Sequence, residues 1–204
     1  MDADAAPRWY GDVAACWNRL GEIARLARAS PQALDAFSRA TEFRRMQRDA
    51  APNDLRAKRA LAAALVRYGE AALDVNAIET ARTTFSESVG LRLSMLEDKP
   101  ADAPAAHALA VALERLGLAA LACGDAQAAR EAWEDELALA ERIFQSDDIE
   151  GLRFCAIVEA HLAGAGGPFA EEHRQSALAR FDALARAGAM TEREAALRKK
   201  LWGA

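Results

Sequence analysis

The sequence predicts an all-α chain of stacked antiparallel helix hairpins. Three observations carry this: small and aromatic residues that return every 48 positions, apolar spacings of amphipathic helices within each period, and capping residues at the breaks. Composition agrees, since 52% of the 204 residues are hydrophobic, alanine dominates and aromatics reach only 6%, the balance of helices packed closely through small side chains. The same balance argues against disorder and against an all-β fold.

The period is read from its columns. Gly21, Gly69 and Gly117 stand one period apart, preceded by Leu20, Tyr68 and Leu116. Val13, Leu61, Leu109 and Ile157 share a second column, and Ala24, Ala72 and Ala120 a third. A fourth holds Ala33, Ala81, Ala129 and Ala177, each followed four residues later by Phe37, Phe85, Trp133 or Phe181. Such a unit cannot bury its apolar face alone, and stacking its neighbours supplies the core.

Along the chain, the first helix of the first unit carries Val13, Trp17, Leu20 and Ala24 at the i, i+4, i+7, i+11 spacing of an apolar stripe. Leu109, Leu113, Leu116 and Ala120 repeat that stripe in the third unit, and Ala129, Trp133, Leu137, Leu139 and Ile143 follow as a second helix. Each unit is therefore a hairpin. Ser30 with Pro31 reads as an N-cap with proline at the first helical position, and Gly124 with Asp125 as a left-handed stop followed by an N-cap. Pro52 with Asn53, and Pro100 with Asp102, separate successive units. Beyond Gly188, Thr191 and Glu194 form a capping box, and Arg198, Lys199 and Lys200 sit in the last turn, where cations complement the helix dipole.

These residues resemble the tetratricopeptide repeat family, whose first helix carries a W-x-x-L-G pattern. Trp17, Leu20 and Gly21 match it, Leu65, Tyr68 and Gly69 match by type, and so do Leu113, Leu116 and Gly117. The resemblance runs from about Val13 to Phe181 and is closest from Leu109 to Trp133. It implies a right-handed superhelical array, an α-solenoid of about four repeats over residues 6–53, 54–101, 102–149 and 150–188, with a C-terminal capping helix over 189–204. The long period implies helices of about twenty residues and a deeper, flatter groove than the common 34-residue repeat gives. In the fourth unit His161, Gly164 and Ala165 replace the leucine, Leu/Tyr and glycine columns, and the run from Gly164 to Pro168 shortens the first helix.

Composition bounds function as well. A net charge of -5 gives no field for phosphate backbones, so no nucleic-acid partner is expected. Met1 to Pro7 lack the basic and apolar regions of a signal peptide, and Glu114 with Arg115 interrupts the apolar stretch from Leu109 to Cys123, so a cytoplasmic location without a membrane is expected. Cys16, Cys123 and Cys155 have no paired spacing and read as small hydrophobes.

Catalytic patterns are weak. His107, His161 and His173 fall at unrelated offsets, the GAGGP run lacks the strand and lysine of a phosphate loop, and no cofactor is expected. The sharpest alternative is a metal-dependent enzyme site from Cys155, Glu159, His161 and His173.

The resemblance places the first helices on a concave face. There Arg19, Arg67 and Arg115, each two residues before a repeat glycine, form a basic ladder suited to carboxylates. Asn18, Glu22, Val66, Glu70, Leu73, Leu118 and Leu121 stand beside it. The plainer account pairs Arg19 with Glu22 and Arg67 with Glu70 at i, i+3. From Asp102 to Ile149 there are ten acidic and three basic residues, the surplus being Glu131, Glu134, Asp135, Glu136, Glu141, Asp147 and Asp148. That reads as a solvated outer face, or as a contact for Arg44, Arg45 and Arg48 of another copy in a homo-oligomer. The sequence therefore points to a scaffold or adaptor binding a protein or peptide, acidic or carboxylate-bearing, in its groove. The alternative is a non-catalytic subunit docking a folded enzyme.

Overall fold

In the computed structural model, residues 5–98, 102–144 and 148–203 are described, and every regular element among them is a helix. The fold is all-α, built of helix hairpins: the first helix packs on the second, the second on the third and the third on the fourth. Within the later part, the sixth packs on the seventh and the seventh on the eighth. The chain divides into two compact units, Met1–Ala119 and Ala120–Ala204.

The first unit contains α1 (Ala5–Leu26), α2 (Ser30–Ala50), α3 (Leu55–Asp74), α4 (Ile78–Asp98) and most of α5 (Ala103–Ala122). The columns of glycine and aromatic are one contact. A Cβ on Gly21 would lie 2.7 Å from the Phe37 ring and one on Gly69 2.6 Å from the Phe85 ring, so glycine lets the two helices of a hairpin close on a buried aromatic. Phe37 and Ala33 also pack on Ala71 of α3, and Phe85 and Ala81 on Ala119 of α5. Each aromatic thus fastens its own hairpin and the first helix of the next.

Hairpin turns share a geometry that the sequence showed only at Gly124. Arg28, Asn76 and Gly124 all take positive φ, at 57°, 60° and 81°. The next N–H reaches back five residues in each turn, from Ala29 to Ala24, Ala77 to Ala72 and Asp125 to Ala120, which satisfies carbonyls at the helix end. Aspartates cap the following starts: Asp54 accepts from Arg56 N–H at 2.8 Å, Asp102 from Ala105 at 3.0 Å and Asp125 from Ala128 at 3.0 Å. Ser30 does not cap, because the helix begins one residue earlier than its type suggests and Ala29 holds the N-cap position without a side-chain bond. Pro100 lies outside the described residues.

The stripe expected to be buried on α1 is not: Val13, Trp17 and Ala24 are half-buried and Leu20 is 50% exposed, with the Arg39 guanidinium 5.0 Å above the Trp17 ring. The fully buried residue is Ala14, beside the stripe. In α3 the same columns, Leu61 and Leu65, are fully buried. The difference is a neighbour: α3 packs against α2, and no described helix covers the far side of α1.

α5 has the length and apolarity to cross a bilayer, with 20 residues and mean hydropathy 1.4. Its Leu109, Ala112, Leu113 and Ala119 are buried in the protein, and Glu114 and Arg115 stand in its middle.

The second unit contains α6 (Ala126–Ile143), α7 (Ile149–Ala165), α8 (Ala170–Arg186) and α9 (Glu192–Trp202). Ala156, Ala160, Ala177, Phe181 and Leu184 form its core, and Leu201 of α9 joins them. Gly166 and Gly167, at φ 73° and 108°, turn the chain between α7 and α8. At Thr191 and Glu194 both bonds of the capping box are made.

Candidate partner-binding face

On the first unit the expected arginine ladder is tied across hairpins rather than along helices. Arg67 Nε of α3 lies 3.5 Å from Glu22 of α1, and Arg115 Nε of α5 lies 3.4 Å from Glu70 of α3. Arg25 of α1 stands between the rows, 2.9 Å from Glu22 and 3.7 Å from Glu70. The i, i+3 pair of Arg67 with Glu70 is not made, because packing brings Glu22 of α1 nearer, and Arg19 does not pair with Glu22, whose carboxylate is held by Arg25 and Arg67. These groups are 32% to 47% exposed, so each pair contributes little on its own and the row acts as an alternating strip of charge.

At the α1 end of the strip is an open depression lined by Asn18, Arg19, Glu22, Ile23, Arg44 and Arg67. Arg44 comes from α2. Its guanidinium lies below its ordinary pKa range, first through burial and then through the like charge of Arg67, with Asp12 acting in the opposite sense. Its Nη1 donates to Gln47 at 2.6 Å, and the enclosed Asn18 Oδ1 accepts no hydrogen bond. Three guanidinium groups thus share one lining carboxylate. Sequence reasoning found Arg19 and Arg67 but took Arg44 as an outer-surface charge. The legible clue was spacing: Arg44 and Arg92 stand one period apart, and burial lowers both.

The apolar steps fall differently from expectation. Val66 and Leu73 pack on the Phe85 and Ala119 cluster, which makes them shoulders of the core. Leu118 is half-buried, and Leu121, 40% exposed, belongs to the second unit. Arg45 and Arg48 do not form a free basic patch with Arg44, since Arg45 pairs with Glu87 and Arg48 with Asp49.

In the second unit the four residues weighed as a catalytic site have separate occupations. Glu159 is buried and accepts from Ser176 Oγ at 2.6 Å and Arg180 Nε at 2.9 Å. Burial pushes the Cys155 thiol up, away from a reactive thiolate. The His161 ring lies 5.0 Å from that of Trp133. His173 lines a pocket of about 240 Å³ with Arg130, Glu131, Glu134 and the exposed Phe169. Among the described residues no three His, Cys, Asp or Glu side chains are grouped to hold a metal. The acidic surface is smaller than its count, because Glu136 is buried and Asp148 caps α7, while Glu131, Glu134, Asp135 and Glu141 are exposed. Asp147 lies outside the described residues.

No family model matches the chain, and no curated protein matches it. Among solved structures it is similar to one titled "Crystal structure of MamA protein", at 16% identity and a TM-score of 0.36, covering 86% of this chain and 96% of that one. A likeness this distant says nothing of what the chain binds.

Proposed function

We propose that the chain is a non-catalytic protein-interaction scaffold of tetratricopeptide type. Its hairpin units are those bounded near residues 53, 101, 149 and 188, and its working surface is the face of the first unit formed by α1, α3 and α5. The occupant is an extended segment of a cytoplasmic protein bearing carboxylates. The observation that carries this reading is the depression at Arg19, Arg44 and Arg67, where cationic groups outnumber the lining carboxylate and Arg44 is half-buried with the like charge of Arg67 beside it. Carboxylates of a partner relieve that repulsion through paired guanidinium bonds, and the strip of Arg25, Glu70 and Arg115 gives the segment a continuing polar track.

The test is binding of partner segments recovered by affinity capture and resynthesised as peptides. Arg67→Glu weakens binding by more than about tenfold with melting temperature nearly unchanged, and salt weakens the wild-type complex. Glu134→Lys with Asp135→Lys, in the second unit, leaves it intact. If that pair abolishes binding and Arg67→Glu does not, the groove reading fails. Capture of a folded enzyme in place of any peptide would favour the subunit alternative.

A further inference from the structure

Trp9, Val13, Cys16, Leu20 and Ile23 follow one another along α1 at steps of four, three, four and three, and Ala27 stands four further on in the turn. This alternation is the seam of a helix lying lengthwise on another helix. The opposite side of α1 already meets α2, with Ala14 buried and Gly21 against Phe37. The seam itself is largely uncovered: Leu20 is 50% and Ile23 62% exposed and Cys16 is exposed, while Val13 is half-buried and Trp9, 57% exposed, stands edge-on to the Phe43 ring of α2 with centroids 5.9 Å apart. On the other first helices the same side is filled, since Tyr68 and Ala71 of α3 pack on Phe37, and Leu116 and Ala119 of α5 on Phe85. The fold therefore uses this side to receive a helix, and α1 places Ile23 where α3 and α5 have alanine.

We propose that this seam is the interface of a homodimer, in which α1 of a second copy packs antiparallel about a two-fold axis level with Asn18. The seam is complementary to itself in that register. Trp9 meets the partner's Ala27, Val13 the partner's Ile23 and Cys16 the partner's Leu20, so every layer sets a larger side chain against a smaller one. Parallel pairing would stack Trp9 on its own mate and leave a gap at Cys16. The seam offers roughly 500 Å² of apolar surface per copy, beyond what scattered surface residues give and about 1,000 Å² for the pair, the size that specific interfaces begin at. Arg19 flanks the axis and faces its own mate, so salt strengthens the dimer, the reverse of its effect on an anionic segment in the groove. The seam shares Arg19 and Ile23 with the depression, so a second copy and an anionic segment compete there, and the opposite salt dependences separate the two.

Sedimentation equilibrium of the full chain tests it. The expected result is a species of twice the 21.9 kDa chain mass at micromolar concentration, firmer in high salt. Leu20→Glu, which puts a carboxylate into both central layers, weakens the dimer at least about a hundredfold while helical content holds, because Leu20 is half exposed in one copy, and the melting temperature loses its dependence on protein concentration. Register is read with Leu20→Cys: mild oxidation links Cys16 of one copy to the introduced thiol of the other, and adding Cys16→Ser abolishes the link. A wild-type monomer at every concentration, a dimer that survives Leu20→Glu, or failure of the disulfide to form overturns the proposal. So does a monomeric chain that takes an added foreign helix on this side.

Discussion

Gly69 and Phe85 are made for one another: a Cβ on Gly69 would stand 2.6 Å from the ring, and the ring is fully buried with no room to retreat. Alanine is the better helix former by about 1 kcal/mol, yet Gly69→Ala is expected to destabilise by about 1 to 3 kcal/mol because the clash outweighs propensity. Gly90 of α4 has nothing within 4 Å of such a Cβ, so Gly90→Ala is expected to stabilise by up to about 1 kcal/mol. Urea unfolding of the two variants checks both signs, and the same sign for both would remove the packing account.

From the other side of that contact, Phe85→Ala is expected to cost about 3 to 5 kcal/mol. Phe85 joins α3, α4 and α5 in one cluster, so its loss opens a cavity at two interfaces. A loss under about 0.5 kcal/mol in chemical denaturation would mean that the position is not a closed core site.

What the sequence made legible follows from range. The capping box of Thr191 and Glu194, the Asp125 cap and the left-handed Gly124 are local, and residue type alone implies them. The contacts of Gly21 with Phe37 and Gly69 with Phe85 were visible as parallel columns, though not as a touching pair. Three things were hidden for a common reason. The pairing of Arg67 with Glu22, the half-buried state of Arg44 and the bare side of α1 all depend on which helix lies alongside, and a column records residue types without recording its neighbour. Positive φ at Arg28 and Asn76 was hidden too, because neither is glycine.

The capping box is expected to make α9 acid-sensitive. Burial alone would raise the Glu194 carboxyl, but bonds from Thr191 N–H and its hydroxyl, with Arg153 at 2.6 Å, outweigh burial and hold it below its ordinary value. A depressed folded-state pKa contributes stability that is full above the unfolded value, about 4.3, and is lost as pH falls through the folded one. Fluorescence of Trp202, on α9 and 65% exposed, should therefore report docking at neutral pH and release at strongly acid pH. Glu194→Gln should remove that step and weaken docking at pH 7; an unchanged acid profile would sink the assignment.

Glu159 and Arg180 supply the clearest energetic test of the second unit. Glu159 is buried on α7, and its two oxygens are held by Ser176 and Arg180 of α8, so the carboxylate joins the two helices. Arg180→Met leaves a buried charge with only a hydroxyl, and the expected loss is about 3 kcal/mol, at the low end for a broken buried pair because Arg180 keeps some exposure. Arg180 also lies 3.5 Å from Glu141 of α6, a more exposed contact that should contribute well under 1 kcal/mol. Replacing both members, Glu159→Gln with Arg180→Met, removes the stranded charge and is expected to recover more than half of the loss, since a neutral amide keeps the bond to Ser176. Urea melts of the two singles and the double complete the cycle. If the double variant is as unstable as the sum of the singles, the pair is not coupled, and α7 and α8 are held by Ala156, Ala160, Ala177 and Phe181 alone.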